Sequence, residues 1–184
     1  ADTKELAAWN GLMIGALAQA AVELHEDRYG EAALQLARVI RERLWQNGRL
    51  WRARAGDAPV GIASLADYAF LAEGIDLLLQ WRSDEGLARW RDALVRAGWD
   101  LFHTELGWKA SEQRLLPGMG QEAAVRDGAL RAPGAVLMRL SLAAADPSFQ
   151  ARVRQALQQS RLPTQEDPFW YASHLLVLYQ AATQ

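Results

Sequence analysis

The sequence predicts an all-α protein built from two alternating kinds of helix. Helices that are apolar on nearly every side are predicted near 4–26, 64–82, 133–145 and 168–182. Helices with an apolar stripe and a charged face are predicted near 30–46, 84–103 and 147–160. A helix that is apolar all round must be covered on both sides, whereas a striped helix is covered on one side only. The alternation therefore predicts two layers, with inner apolar helices shielded from water by outer amphipathic ones.

The predicted repeating unit is a hairpin of one inner and one outer helix. Such hairpins wound in a ring make an α/α toroid, and an open α-solenoid of helix pairs is the alternative. The hairpins share little sequence and their loops differ in length, which favours the toroid. A ring of six hairpins needs twelve helices, so seven predicted helices make about half a ring. A half ring exposes apolar flanks, and we therefore expect the isolated chain to self-associate.

Signals for the starts of helices agree with this assignment. Ser64 followed by Asp67 matches a capping box. Asp146-Pro147 and Asp167-Pro168 each place a capping side chain before a proline at the first helical position. Short hairpins of strands are predicted at 48–61 and 106–119.

Composition excludes several classes of function. The formal net charge is -2 and the isoelectric point about 6.0, which argues against nucleic acid or an anionic membrane as partner. Cysteine is absent, so the chain has no disulfide, thiolate metal site or cysteine nucleophile. No long uncharged apolar run or leader pattern is visible, and a cytoplasmic protein is expected. The first residue is Ala rather than Met, so we expect residues 1–184 to begin inside a longer protein.

Three segments carry a resemblance to a known family. They are "DTKELAAWNGLMIGALAQA" from Asp2, "LADYAFLAEGIDLLL" at 65–79 and "VRDGALRAPGAVLMRL" at 125–140. Together they resemble the C-terminal portion of the thioredoxin-domain-containing proteins of the spermatogenesis-associated type, over essentially the whole chain. The resemblance implies that residues 1–184 are a single fragment of a six-hairpin, glycosidase-like toroid. It also implies that a natural thioredoxin-like N-terminal domain and the first half of the toroid are absent from this fragment.

The third segment departs from the family pattern. Asp127-Gly128-Ala129 is retained, but the family's usual Pro-Ser-Gly-Asn run is replaced by the residues 130–134, Leu-Arg-Ala-Pro-Gly. The hydroxyl and amide groups of that run are therefore missing. This favours a weakened or lost activity. The alternative to a carbohydrate enzyme is then a non-catalytic scaffold or binding module that supports a thioredoxin-like domain or a partner protein.

Carboxylates recur at the predicted starts of inner helices. They are Asp2, Asp67, Asp127 and Asp167. In a toroid these starts gather at one end of the ring, where paired carboxylates suit general acid and base catalysis on a sugar. With the resemblance, this makes Asp67 and Asp127 the catalytic candidates. The substrate-binding candidates are Asp2, Lys4, Trp9, Asn10 and Tyr68. The alternative for each aspartate is a helix cap that complements the helix dipole.

Aromatic and histidine residues suggest further roles. The tryptophans best placed to stack on a sugar ring are Trp9, Trp51, Trp108 and Trp170, although packing is the favoured role for each. The three histidines, His25, His103 and His174, are too scattered for a helix-borne metal site. His174 lies in an apolar helix, which favours a buried, hydrogen-bonded imidazole over a catalytic base. No phosphate-binding loop or nucleotide motif is present, and no cofactor or metal is predicted.

Overall fold

Helix predominates in the structure, a computed structural model that describes residues 4–113, 125–144 and 146–183. This confirms the predicted all-α character, whereas the arrangement of the helices in a ring stays a prediction. The chain divides into two compact units, Ala1–Gly98 and Trp99–Gln184.

The first unit contains two helical hairpins and a small sheet. Its helices are α1 (Ala7–Glu23), α2 (Asp27–Leu44), α3 (Leu65–Trp81) and α4 (Glu85–Phe102), and the last turn of α4 belongs to the second unit. Its strands are β1 (Glu5–Leu6), β2 (Trp45–Gln46), β3 (Arg49–Ala55) and β4 (Ala58–Ile62). β3 pairs antiparallel with each of the other three. Asn47 and Gly48, both with positive φ, turn the chain between β2 and β3.

Glycines allow α1 and α3 to pack with their backbones in contact. A Cβ atom on Gly74 would collide with the carbonyl oxygen of Gly11. A Cβ atom on Gly11 would lie 2.5 Å from the carbonyl oxygen of Phe70. Gly11 lies inside α1, where glycine weakens a helix by about 0.5–1 kcal/mol relative to alanine. The structure gives the reason for its presence, since no larger residue fits at this crossing.

The second unit packs its helices around buried aromatic side chains. Its helical segments are α5 (Pro133–Ala143), α6 (Pro147–Gln159), α7 (Arg161–Glu166), a 3-10 helix (Pro168–Tyr171) and α8 (Ala172–Ala182). The strands β5 (His103–Thr104) and β6 (Gly107–Trp108) form a short hairpin. The Trp99 and Trp108 rings lie 4.7 Å apart between centroids, and the Trp99 indole N–H donates to Ser141 Oγ at 2.8 Å.

Most of the predicted helices are present, with ends shifted by a few residues. The hairpin at 48–61 is confirmed as β3 and β4, whereas the second hairpin lies earlier than predicted and part of 106–119 falls outside the described residues. The segment 168–182 begins as a 3-10 helix rather than an α-helix. Asp167 makes no side-chain cap there, so its predicted capping role is wrong, whereas Asp146 caps α6 through the Ser148 N–H as predicted.

Four helices, α1, α3, α5 and α8, correspond to the segments predicted to be apolar and are called the apolar helices. α3 and α5 are buried on most sides, as the predicted inner layer requires. α1 and α8 each leave one apolar stripe in solvent. The α1 stripe contains Trp9 and Met13, which are 67% and 53% exposed. The α8 stripe contains Leu176 and Tyr179, which are 62% and 70% exposed.

Candidate functional site

The Asp67 carboxylate closes the N-terminus of its own helix. Asp67 lies in the first turn of α3 and is only 4% exposed. Its Oδ2 atom accepts hydrogen bonds from the N–H and hydroxyl of Ser64 at 2.8 and 2.7 Å. The Asp67 N–H donates in return to Ser64 Oγ at 3.4 Å. The capping box predicted from the sequence is therefore confirmed.

The second oxygen of Asp67 reaches another helix. Asp67 Oδ1 accepts a hydrogen bond at 3.1 Å from the N–H of Ala8, in the first turn of α1. The N-cap residue of α1, Leu6, provides no side-chain cap, and the first N–H groups of a helix lack partners within it. One carboxylate therefore caps two apolar helices, α3 by a local motif and α1 by a contact across the unit.

Two other candidates from the segment that begins at Asp2, Trp9 and Asn10, lie beside this contact in the first turn of α1. Asn10 Nδ2 donates to the Leu6 carbonyl one turn earlier at 2.7 Å. Lys4 and Trp9 are exposed, whereas Asp2 lies outside the described residues. The structure therefore places Trp9 and Asn10 in the first turn of α1, and their predicted contact with a substrate stays a prediction.

Tyr68 lies in the core of the first unit, with 1% of the residue exposed. Its hydroxyl accepts a hydrogen bond from the N–H of Leu50 at 3.0 Å, and its ring meets Trp45 edge-on with centroids 6.5 Å apart. Both contacts join α3 to the small sheet. The substrate-binding role predicted for Tyr68 stays a prediction, and the contacts of the side chain are those of a packing residue.

Asp127 repeats the two-helix contact in the second unit. Its Oδ1 atom accepts a hydrogen bond from the N–H of Ala132, just before α5, at 2.7 Å. Its Oδ2 atom accepts from the N–H of Ser173, in the first turn of α8, at 2.8 Å. Its own N–H donates to the Trp170 carbonyl at 2.8 Å. Asp127 therefore ties the start of α5 to the start of α8.

Hydrogen bonds control the charge of Asp127. Partial burial would raise the pKa of this carboxyl, but hydrogen bonds from Ser173 and Ala132 outweigh burial, and proximity to His174 adds to them. The pKa of Asp127 is consequently lowered from its ordinary value of 3.8. The carboxylate is ionised at neutral pH, which suits a hydrogen-bond acceptor or a base and opposes the role of a general acid.

His174 is a buried polar residue whose environment the sequence did not reveal. It lies in the first turn of α8, is 1% exposed, and neither ring nitrogen has a hydrogen-bond partner among the described residues. Burial lowers the pKa of His174 to about 4, although the charge of Asp127 acts in the opposite direction. The prediction of a hydrogen-bonded imidazole is right about burial and wrong about bonding, because no donor or acceptor among the described residues is bonded to either ring nitrogen.

The aromatic candidates separate into two groups. Trp108 is fully buried and packs in the core of its unit. Trp9 and Trp170 are 67% and 44% exposed, and Phe169, which sequence reasoning passed over, is 77% exposed and meets Trp170 edge-on. The exposed rings lie at the beginnings of apolar helices, where a flat ligand has access to them.

Asp67 and Asp127 belong to different units, so the prediction that they open onto one mouth stays a prediction. Within the part of the chain that the structure describes, no group of three or more His, Asp or Glu residues is arranged to hold a metal ion. No described helix combines the length and apolarity needed to cross a membrane.

No family model matches the chain, and no curated protein matches it. The resemblance to the thioredoxin-domain-containing family therefore rests on the three sequence segments alone.

Proposed function

We propose that this chain is a non-catalytic helical scaffold or binding module in which Asp67 and Asp127 hold apolar helices together. The observation that carries the proposal is that both carboxylates are already engaged in hydrogen bonds within the protein. Each of their four oxygen atoms accepts a hydrogen bond from a backbone N–H group. In each unit one of those donors belongs to a different apolar helix, so the carboxylates have a structural use that requires no substrate.

This arrangement is poorly suited to acid and base catalysis. Asp67 is only 4% exposed, so a sugar oxygen could reach it only if the contact between Asp67 and the Ala8 N–H opened. A buried N–H group left without a partner costs about 1–3 kcal/mol. A glycosidase also needs one carboxyl group with a raised pKa as its general acid, whereas the pKa of Asp127 is lowered.

The proposed architecture is about half of an α/α toroid. α3 and α5 are buried on most sides, whereas α1 and α8 each leave an apolar stripe exposed. This pattern is what a partial ring of inner helices would present. We take a second copy of the chain as the occupant of the stripes, since exposed apolar surface favours association and each copy offers both stripes.

Sedimentation velocity across a wide range of protein concentration tests the association. We expect complexes that grow with concentration in the natural sequence and a monomer in the double variant Trp9→Ser, Met13→Ser. Leu106→Ser is the matched control, because Leu106 is 72% exposed in the β5–β6 turn and belongs to neither stripe. A chain that remains monomeric at every concentration would contradict self-association.

A carbohydrate-binding enzyme of the glycosidase or epimerase type is the second candidate. The exposed rings of Trp9, Phe169 and Trp170 favour it, because aromatic faces match the apolar faces of sugars. A thermal-shift screen against sugars, sugar acids and phosphorylated sugars separates the two candidates. The scaffold predicts no shift with any of them. A reproducible shift that Trp9→Ala and Asp67→Asn each abolish would replace the scaffold with the enzyme.

A further inference from the structure

A groove in the second unit lies between the α6–α7 segment and α8. Its volume is about 560 Å³. Small-molecule sites typically enclose about 300–1,000 Å³, so the groove has the size of a site for one small ligand. Residues 174, 175 and 178 of α8 line the groove, next to Leu176 and Tyr179 of the α8 stripe.

The walls of the groove are two facing helix surfaces. Leu157 lies on the α6 side, and Leu175 and Leu178 lie on the α8 side, one helical turn apart. Leu175 and Leu178 remain 38% and 50% exposed, so an apolar surface is available to a ligand. A hydrocarbon body that covered these side chains would remove apolar area from water, which contributes roughly 25 cal/mol per Å².

The charged groups that line the groove are of one sign. Arg154 on α6 and Arg161 at the start of α7 both line it. None of the described lining residues is acidic, and no ion pair links either arginine to a carboxylate among the described residues. The Arg154 side chain donates to the Gln150 carbonyl at 3.3 Å, which does not neutralise its charge. The groove therefore favours an anion.

His174 also lines this groove. It is 1% exposed, and within the part of the chain that the structure describes both ring nitrogens lack a hydrogen-bond partner. A buried imidazole without partners is costly unless something supplies a hydrogen bond. In its neutral form the ring offers one N–H donor, which adds to the arginine donors of the groove.

We propose that the α6–α8 groove binds a small amphiphilic carboxylate. The hydrocarbon body lies on Leu157, Leu175 and Leu178, and the carboxylate accepts hydrogen bonds from Arg154 and Arg161, with the His174 N–H as a further donor. The site uses neither Asp67 nor the α1 stripe, whereas Asp127 and the α8 stripe adjoin it.

Isothermal titration calorimetry with decanoate, at concentrations that keep it monomeric, tests the site. We expect decanoate to bind, and decanol and decyltrimethylammonium, which share its chain length, to bind much more weakly. The double variant Arg154→Ala, Arg161→Ala should weaken decanoate binding about tenfold or more, because charge-assisted hydrogen bonds are lost. Arg38→Ala, Arg89→Ala removes the same charge from exposed positions of the first unit and should leave the affinity unchanged.

Nuclear magnetic resonance of the histidine rings provides the second measurement. Bound decanoate should move the ring signals of His174 and raise the pKa of His174, since an anion favours the protonated ring. The ring signals of exposed His25 should not move. The site is ruled out if decanoate fails to bind, if decyltrimethylammonium binds as tightly, if the Arg154 and Arg161 double variant keeps its affinity, or if the His174 signals stay in place.

Discussion

The two units use the same carboxylate contact but pack their apolar helices differently. In the first unit Asp67 is enclosed and satisfied by hydrogen bonds, and α1 and α3 touch through glycine backbones. In the second unit Asp127 is only partly buried, and His174 is enclosed without partners beside an open groove. The comparison teaches that the same carboxylate contact between two helices can occur beside tightly packed helix backbones or beside an open groove.

Glycines also pack differently in the two units. Gly11 and Gly74 bring two helix backbones into contact, and a backbone cannot rotate out of the way as a side chain can. In the second unit Gly134 lies against the side chain of Trp108 instead, and a Cβ atom at this position would lie 2.9 Å from the ring. We therefore expect side-chain volume added at these glycines to lower the stability of the first unit more than that of the second.

Gly74→Ala should produce the largest loss of stability. The new methyl group would overlap the Gly11 carbonyl and push α1 away from α3. Overpacking in a core usually costs about 1–3 kcal/mol, and a rigid backbone contact places this variant at or above the upper end. Urea denaturation followed by circular dichroism measures the effect. Gly128→Ala is the control, since a Cβ atom there would meet no atom of the described residues within 4 Å. Equal stability of both variants would show that the crossing is looser than described.

Acidification should destabilise the second unit through His174. The unfolded chain takes up this proton near the ordinary pKa of 6.5, whereas the folded chain takes it up only near pH 4. Stability is therefore lost as the pH falls from 6.5 to about 4, by as much as ~3 kcal/mol at roughly 1.4 kcal/mol per pKa unit. Unfolding free energies measured at several pH values should show this slope.

His174→Leu should remove that slope and also stabilise the protein at neutral pH, because it removes unpartnered polar atoms from the interior. His25→Asn is the control. His25 has a positive φ of 55°, which asparagine tolerates, and it lies in the first unit. An unchanged slope in His174→Leu would assign the acid sensitivity to other groups.

Asp67→Asn should cost about 2 kcal/mol in the free energy of unfolding. The amide retains one acceptor oxygen but turns an NH₂ group towards the N–H donors of Ser64 or Ala8. Chemical denaturation at neutral pH measures the loss. Asp57→Asn, on the exposed turn between β3 and β4, should stay within about 0.5 kcal/mol of the natural sequence.

Asp127→Asn should have the smallest effect, about 1 kcal/mol, because Asp127 is partly exposed. Its folded pKa lies below the ordinary 3.8, so its contribution is fully present above that pH and is lost as the pH falls through the lowered value. The difference between the natural sequence and Asp127→Asn should therefore shrink in strong acid. A loss larger than that of Asp67→Asn would reverse the ranking of the two contacts.

Local patterns were sufficient to predict most of the helices. The capping box of Ser64 and Asp67 and the Asp146-Pro147 start involve residues that are neighbours along the chain. The beginning of α1 was predicted three residues too early, because residues 5 and 6 pair with β3 and form strand instead. That pairing involves residues nearly fifty positions away, and no local pattern reports it.

By itself the sequence determined most of the helical segments and which of them are apolar, because hydrophobic period and capping act over a few residues. The short helix α7 and the 3-10 start of the last segment were not predicted. Only the tertiary structure decided what each polar group meets. The hydrogen bond from Ala8 to Asp67 joins residues 59 positions apart. The missing partners of His174 likewise depend on which side chains the fold places around it. Whether a buried polar group is bonded or orphaned is a property of packing, which brings distant residues together.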